Sequence, residues 1–460
     1  MHNDTNIVSQ GAKNIEGILR KFVEQADAKR EKGELNVDSV EILMEEAVSA
    51  ITKIVLDMGG AVLSEVGPQN AEEARCPICG RRMTKSKADS LINILSMLGH
   101  IPIRRDYMHC RACGKGYGII DEQIGIDTDH RMTKGMIDLI TYTGQLLGSF
   151  DEGKKTIERF FKFLGLSISH KSIQVVSEEI GKKVYEKDLA EAEYLYEHQD
   201  KAVEYIPEDK KEEGVLYIFM DGSLLNTRDE DQTGQTWREV KVGLLFRDRD
   251  VIKAGKEKSE IQRKRYVAYV GEAQEFKKFL WAAAVKEGYG RIKKVVIIGD
   301  GAQWIWNIAC ELFPDAEAEI LDYYHLSENV NEFAKFLYPE DEVNRKRWVK
   351  EVTEHIYEGR IDEAIRMAEG RMPKAGLPKE VVNLPHYLSV NRERMRYKEF
   401  ESMGYFIGSG SVESGHKVVI QKRMKQPGMR WSLEGAQYIA SLRAKYKSDL
   451  WDEVTGCIAG

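Results

Sequence analysis

Two CxxC pairs, Cys76/Cys79 and Cys110/Cys113, stand 30 residues apart and constrain this chain's fold more than any other feature. Each pair is the size of a tight knuckle, and two knuckles brought together complete a tetrahedron of thiolates, the donor set of a four-cysteine zinc site. Gly80 and Gly114 directly follow the pairs and supply the permissive backbone such knuckles use. A redox CxxC or buried free thiols are the other readings, and a second matching pair favours metal over both. Four protein ligands close the coordination sphere, so the predicted ion is one structural Zn2+ with no position left for catalytic water. Cys310 and Cys457 stand alone. Arg104, Arg105 and Lys115 are candidates for phosphate contact or for ordinary solvated surface.

With 460 residues, 42% of them apolar, the chain can bury a sizeable core and is expected to form two to four domains. No window approaches the roughly 20 uninterrupted apolar residues of a membrane span. The start, MHNDTNIVSQ, lacks the basic-then-apolar layout of a signal peptide, so the expectation is a cytoplasmic protein with no membrane partner. A formal net charge of −7 excludes a wholly cationic surface, and any nucleic-acid site must be a local basic patch.

Apolar residues at helical spacing, such as Ile15, Ile18, Leu19 and Phe22, predict a helical N-terminal arm over 1–69. The zinc ribbon follows at 70–126, and helices resume over 127–185. Within that segment, residues 154–183 read as helix, turn around Gly165 and helix, compatible with a helix-turn-helix whose second helix begins with Ser169, His170, Lys171 and Gln174. A charged stretch, 186–213, is linker or exposed helix. From 214 the period changes to strands: GVLYIFMDGS, TWREVKVGLLFR and RKRYVAYVG, then a helix over 273–288, then KKVVIIGDG. Residues 302–313 read as helix, AEAEILDYYH as one more strand, and 326–398 as predominantly helix.

Three acids carry chemistry. Asp221 closes the apolar run GVLYIFMD, and Asp300 ends VVIIGDG between two glycines. A buried strand that delivers an acid to its C-terminal tip is how open α/β sheets build sites. Glu413, in GSGSVESGHK, precedes a helix start that could present its carboxylate to the other two. Such acids can hold two Mg2+ (or Mn2+) ions about 4 Å apart for phosphodiester displacement. Any one of them alone is as readily a turn or a helix cap.

The string MDGS…REVKVG…IGDGAQWIWN…ILDYYHLSENV…GYFIGSGSVESGHK…RMKQPGMRWSLEGAQ…LRAKYKSDLWD resembles transposases of the Kra-type bacterial insertion sequences over residues 70–453. The resemblance implies an α/β multidomain DDE enzyme with a ribonuclease-H-like core. Its acids fall in the MDG, GDG and VES motifs, here Asp221, Asp300 and Glu413. Asp322 and His325 resemble the acid-x-x-His element that related transposases carry beside the active site. The resemblance divides the core into 214–325 and 404–460, interrupted by an all-α insertion over 326–403. It further implies DNA as partner, at terminal inverted repeats and target, and a homodimer or larger synaptic assembly.

From Lys417 to Lys447 there are eight Lys/Arg and one acid, Glu434, a candidate phosphate track. Lys417, Lys422, Arg423, Lys425 and Arg430 are the predicted DNA contacts, with Trp431 available to stack on a base. A second basic cluster is Arg263, Lys264 and Arg265, whereas Trp237, Trp304, Trp306 and Trp348 read as core aromatics. The expected function is metal-dependent DNA cleavage and strand transfer at insertion-sequence ends. The alternative is a non-catalytic zinc-containing DNA-binding regulator derived from a transposase.

Overall fold

A computed structural model describes residues 2–66, 74–127, 129–210, 212–253, 259–373, 377–378, 381–408 and 415–459. The chain divides into two units, 1–177 with 458–460, and 178–457.

The first unit begins with a helical hairpin, α1 (His2–Glu31) and α2 (Val37–Ser64). Asn36 starts α2 through a reciprocal cap: its side chain accepts from Ser39 N at 2.8 Å, and Ser39 Oγ accepts from Asn36 N at 3.0 Å. The α2 backbone then lies directly on a three-stranded antiparallel sheet, since a Cβ at Gly60 would come within 2.0 Å of the Pro102 carbonyl oxygen. By length and composition α2 is apolar enough to cross a membrane, and 6% of its most apolar window is buried. The sequence reading found no such span because Lys53 and Asp57 interrupt the apolar run.

The sheet consists of β1 (Thr84–Ser96), β2 (Gly99–Cys110) and β3 (Lys115–Gly118). Alternation places Ile92, Ile94 and Ile103 in one core with Ile120. Helix α3 (Lys134–Leu146) starts at the Thr133 cap and α4 (Phe150–Phe160) at the Ser149 cap. After a left-handed Gly165, φ +64°, α5 (His170–Glu197) begins, with Ser169 Oγ accepting from Ser172 N at 2.9 Å.

The second unit is built on β4 (Val215–Asn226), β5 (Trp237–Arg247), β8 (Arg265–Val270), β9 (Lys294–Gly299) and β10 (Ala318–Leu321), with a small side pair, β6 (Val251–Lys253) and β7 (Ser259–Ile261). The five strands lie in the order β10-β9-β4-β5-β8. Strands β9 and β10 run parallel to β4, while β5 is antiparallel to both β4 and β8. The central strands are apolar on both faces, as parallel strands covered on both sides must be. Helix α6 (Ala273–Lys286) covers one face, where Gly243 lets Leu280 and Phe276 approach, and α7 (Gln303–Leu312) follows β9.

Helices α8 (Tyr323–Leu337), α9 (Glu342–Tyr357), α10 (Ile361–Glu369), α11 (Leu384–Val390) and α12 (Tyr397–Ser402) form a helical segment after β10. Its buried residues include Leu326, Phe333, Trp348, Val352 and Leu388. A π-helical turn, Lys417–Gln421, leads into α13 (Lys422–Met424), α14 (Leu433–Lys447) and α15 (Trp451–Ala459). Helix α14 closes the outer edge of the sheet. Gln437 Oε1 accepts from Val270 N at 2.8 Å and Ser448 Oγ from Tyr266 N at 2.7 Å, occupying the donors a bare edge strand would expose.

Candidate active site and metal centre

The strand register sets the site. Met220 of β4 and Leu321 of β10 both pair with Gly299 of β9, so the next residue on each strand stands in one row: Asp221, Asp300, Asp322. The sequence reading ended the first strand at Asp221. In the structure β4 continues to Asn226, because β5 goes on pairing with it where β9 and β10 have stopped. The acids therefore sit on the step where the five-stranded sheet narrows to the three strands β4, β5 and β8.

Each carboxylate is anchored. Asp300 Oδ1 accepts from Ala302 N at 2.8 Å, and its backbone carbonyl accepts from the Tyr387 hydroxyl at 2.9 Å. Gly301 is left-handed, φ +98°, and a Cβ there would meet the Tyr387 ring at 2.8 Å. Asp322, 3% exposed, accepts from Tyr324 N at 2.8 Å as the cap of α8. Burial raises the Asp221 carboxyl above the usual range, against the nearby His325. Asp300 is raised as well, by burial first and by Asp221 beside it, with the Ala302 N–H opposing. Asp221, Asp300, Asp322, His325 and His416 line one small cavity. Such a row of carboxylates, half-buried at Asp221 and Asp300, offers hard oxygens, the donor type that divalent cations such as Mg2+ or Mn2+ take. Glu413 lies outside the described residues.

In the first unit the four cysteines converge, with all ligand sulfurs within 4.8 Å of one another. Cys76 Sγ lies 3.8 Å from Cys113 Sγ, and Cys79 Sγ 3.6 Å from Cys110 Sγ. The knuckles close through Gly80 N to Cys76 O at 2.8 Å and Gly114 N to Cys110 O at 2.9 Å, both glycines being left-handed. Backbone N–H groups, Cys79 first, hold the Cys76 thiol down at about 7. Hydrogen bonding to Cys79 and burial push Cys113 up to about 12. One thiolate forms readily and the next is opposed, which is the electrostatic state a bound cation relieves. The tetrad could hold a metal such as zinc.

The model of a family described as "Uncharacterised protein family (UPF0236)" matches residues 33–455. The chain belongs to UPF0236. No curated protein matches this UPF0236 chain. Among solved structures it is similar to the Drosophila P element transposase strand transfer complex, at 10% identity and a TM-score of 0.25, over 72% of this chain and 83% of that one.

The basic segment of this UPF0236 chain is less uniform than its sequence suggests. Lys417, Lys422 and Arg430 are exposed and Lys425 is half-buried. Arg423 and Trp431, predicted as DNA contacts, are 1% and 6% exposed, which removes them from any surface DNA could reach in this conformation. Tertiary packing explains the difference: the Arg423 guanidinium lies 5.4 Å from the Trp431 ring centre, and Trp431 Nε1 donates to Met424 O at 3.0 Å. Arg443 is likewise buried, donating to Val419 O at 3.0 Å, and Lys445 pairs with Asp188 at 2.7 Å. Arg105 is buried against Asp121, so it is no phosphate contact, and Arg265 bonds Glu287 at 2.9 Å.

Trp237 corrects the sequence reading in the opposite direction: it is 52% exposed at the start of β5 rather than in the core. Trp306 and Trp348 are buried as expected. Ser169, His170 and Lys171 are exposed at the start of α5. Sequence reasoning missed Ser223 and His416, which bond each other at 3.1 Å beside Asp221. Ser223 could have been found from its position two residues after Asp221, on the same face of the strand.

Proposed function

We propose that this chain is a DDE transposase of the Kra type, catalysing metal-dependent DNA cleavage and strand transfer at insertion-sequence ends. The observation that carries the reading is the row of carboxylates at the ends of adjacent parallel strands, half-buried Asp221 beside half-buried Asp300. The strand order, with one antiparallel strand between β4 and β8, fits the ribonuclease-H-like core that the resemblance implies. Helices α8 to α12 then take the place of its all-α insertion.

Asp221 and Asp300, joined by Glu413, would hold two Mg2+ or Mn2+ ions. When bound, such ions would supply Lewis-acid activation for an attacking oxygen, of water or of a 3′-OH, and charge stabilisation for the leaving oxygen. The protein's own part is rigidity: strand pairing fixes Asp221, the Ala302 N–H orients Asp300, and the capping bond fixes Asp322. Asp322 and His325 stand beside the reacting centre as the acid-x-x-His element.

The four-cysteine tetrad is read as a structural zinc ribbon. The exposed start of α5 would provide DNA contacts in the first unit, and Lys417, Lys422 and Arg430 would provide them in the second. A homodimer or larger assembly would join two ends in one event. It is supported by an exposed stripe on α2, where Met44, Val48, Val55 and Val62 recur at coiled-coil spacing. Cytoplasmic residence remains part of the same proposal.

The test is cleavage and joining of labelled DNA carrying the repeats that flank the gene, in Mg2+ or Mn2+. Wild type is expected to cut and join, with Asp221→Asn, Asp300→Asn and Glu413→Gln binding DNA but inert. DNA binding with no cleavage by any of them replaces this reading with the regulator.

A further inference from the structure

Three polar side chains that the metal-ion chemistry does not use form a directed chain next to Asp221. His416 is 1% exposed, and its Nε2 lies 3.1 Å from Val240 O. A carbonyl oxygen only accepts, so Nε2 carries the ring proton and donates. Nδ1 is then bare and accepts from the Ser223 hydroxyl at 3.1 Å. The Ser223 oxygen in turn accepts from Lys425 Nζ. Each link joins one donor to one acceptor, which fixes the imidazole tautomer and aims the hydroxyl. Burial, with Lys425 nearby, pushes His416 down to about 4, so the ring stays neutral and the direction of the chain holds at working pH.

The end of this chain is a cation. Lys425 is half-buried, its ammonium disfavoured by burial and supported by Asp221. Burying an ammonium is costly unless a partner compensates it. Lys417, Lys422 and Arg430 lie out on the surface, whereas half-buried Lys425 donates to Ser223, two residues past Asp221 on β4. Among the described residues its hydrogen bond goes to Ser223, and an ammonium has three N–H donors. Two are left to meet an anionic oxygen at the place where the acids would hold their ions.

Resting on the transposase reading, we propose that Lys425 is a catalytic residue that binds a non-bridging oxygen of the scissile DNA phosphate, and that Ser223 and His416 are positioning residues that hold it there. The phosphate would be bound between the cation on one side and the carboxylates with their ions on the other. A fixed donor of this kind acts on charge that grows in the transition state.

The full chain is compared with Lys425→Gln, Lys425→Arg, Ser223→Ala and the Ser223→Ala/Lys425→Gln double variant. Two readouts are used on gene-end DNA: affinity against KCl concentration in Ca2+, and cleavage rate in Mg2+ or Mn2+. Lys425→Gln is expected to lower the salt slope by about one and Lys425→Arg to keep it. Lys425→Gln is expected to slow cleavage by about 10²-fold. Ser223→Ala is expected to slow it less, and to add nothing in the Lys425→Gln background, because Ser223 acts through the lysine.

An unchanged slope in Lys425→Gln, or an undiminished Ser223→Ala effect in the double variant, overturns the assignment even if wild type cuts DNA. A wild type that binds but never cuts removes the transposase reading while the slope still decides on Lys425. A chain that binds no DNA overturns both.

Discussion

At the scale of single residues, the site is held together against its own charges. Asp221 and Asp300 are raised by burial, so the folded state favours their protonated forms. Stability from these groups is therefore present at low pH and lost as pH rises through their raised values. Asp221→Asn should raise the melting temperature of metal-free protein at neutral pH by a few degrees while abolishing cleavage, and Mg2+ should stabilise wild type but not the variant. Scanning calorimetry with and without Mg2+ checks both. His416 has the opposite sign. Held down at about 4, it contributes stability that is full above its ordinary value of 6.5 and falls as pH drops from there towards 4. The difference in melting temperature between wild type and His416→Gln should change across that window and be flat above it. Asp221 and Asp300 were legible in the sequence because an apolar run ending in an acid is a local pattern. Arg423 and Trp431 were not, because their burial comes from tertiary packing, the guanidinium lying over the Trp431 ring and the indole N–H donating to Met424 O.

Elements were legible where their pattern is periodic and their boundaries less so. The runs at 215–226, 237–247, 265–270 and 294–299 read directly as strands, whereas the extension of β4 past Asp221 depends on its pairing with β5, which no single segment encodes. The short pair β6 and β7 went unread for the same reason. The cysteine knuckles are local, and the tetrad follows from their spacing. One Zn2+ per chain is expected by metal analysis, and Cys113→Ser should lose it. Because thiolates bind metal and thiols do not, affinity should fall as pH drops, and more steeply below about 7, where Cys76 also takes up its proton. Helix packing gives a further prediction. A Cβ at Gly181 of α5 would lie 2.6 Å from the Tyr438 carbonyl of α14, so Gly181→Val should destabilise by about 1–3 kcal/mol in denaturant titration.

On the scale of the whole molecule, composition set bounds and left the arrangement open. A chain of net charge −7 uses cations locally, and the structure divides them between exposed Lys417, Lys422 and Arg430 and buried structural pairs. The exposed stripe on α2 predicts self-association: light scattering should find a dimer or larger species, and Val48→Glu with Val55→Glu should reduce it to monomer. The central claim is that the carboxylate row is a divalent-cation site for phosphodiester chemistry, and calorimetric titration of the full chain with Mn2+ tests it most directly. The account predicts Mn2+ binding in wild type, at least roughly tenfold weaker in Asp221→Asn and Asp300→Asn, with the Zn2+ content unchanged. Equal Mn2+ binding by all three proteins, or none in wild type, would contradict it.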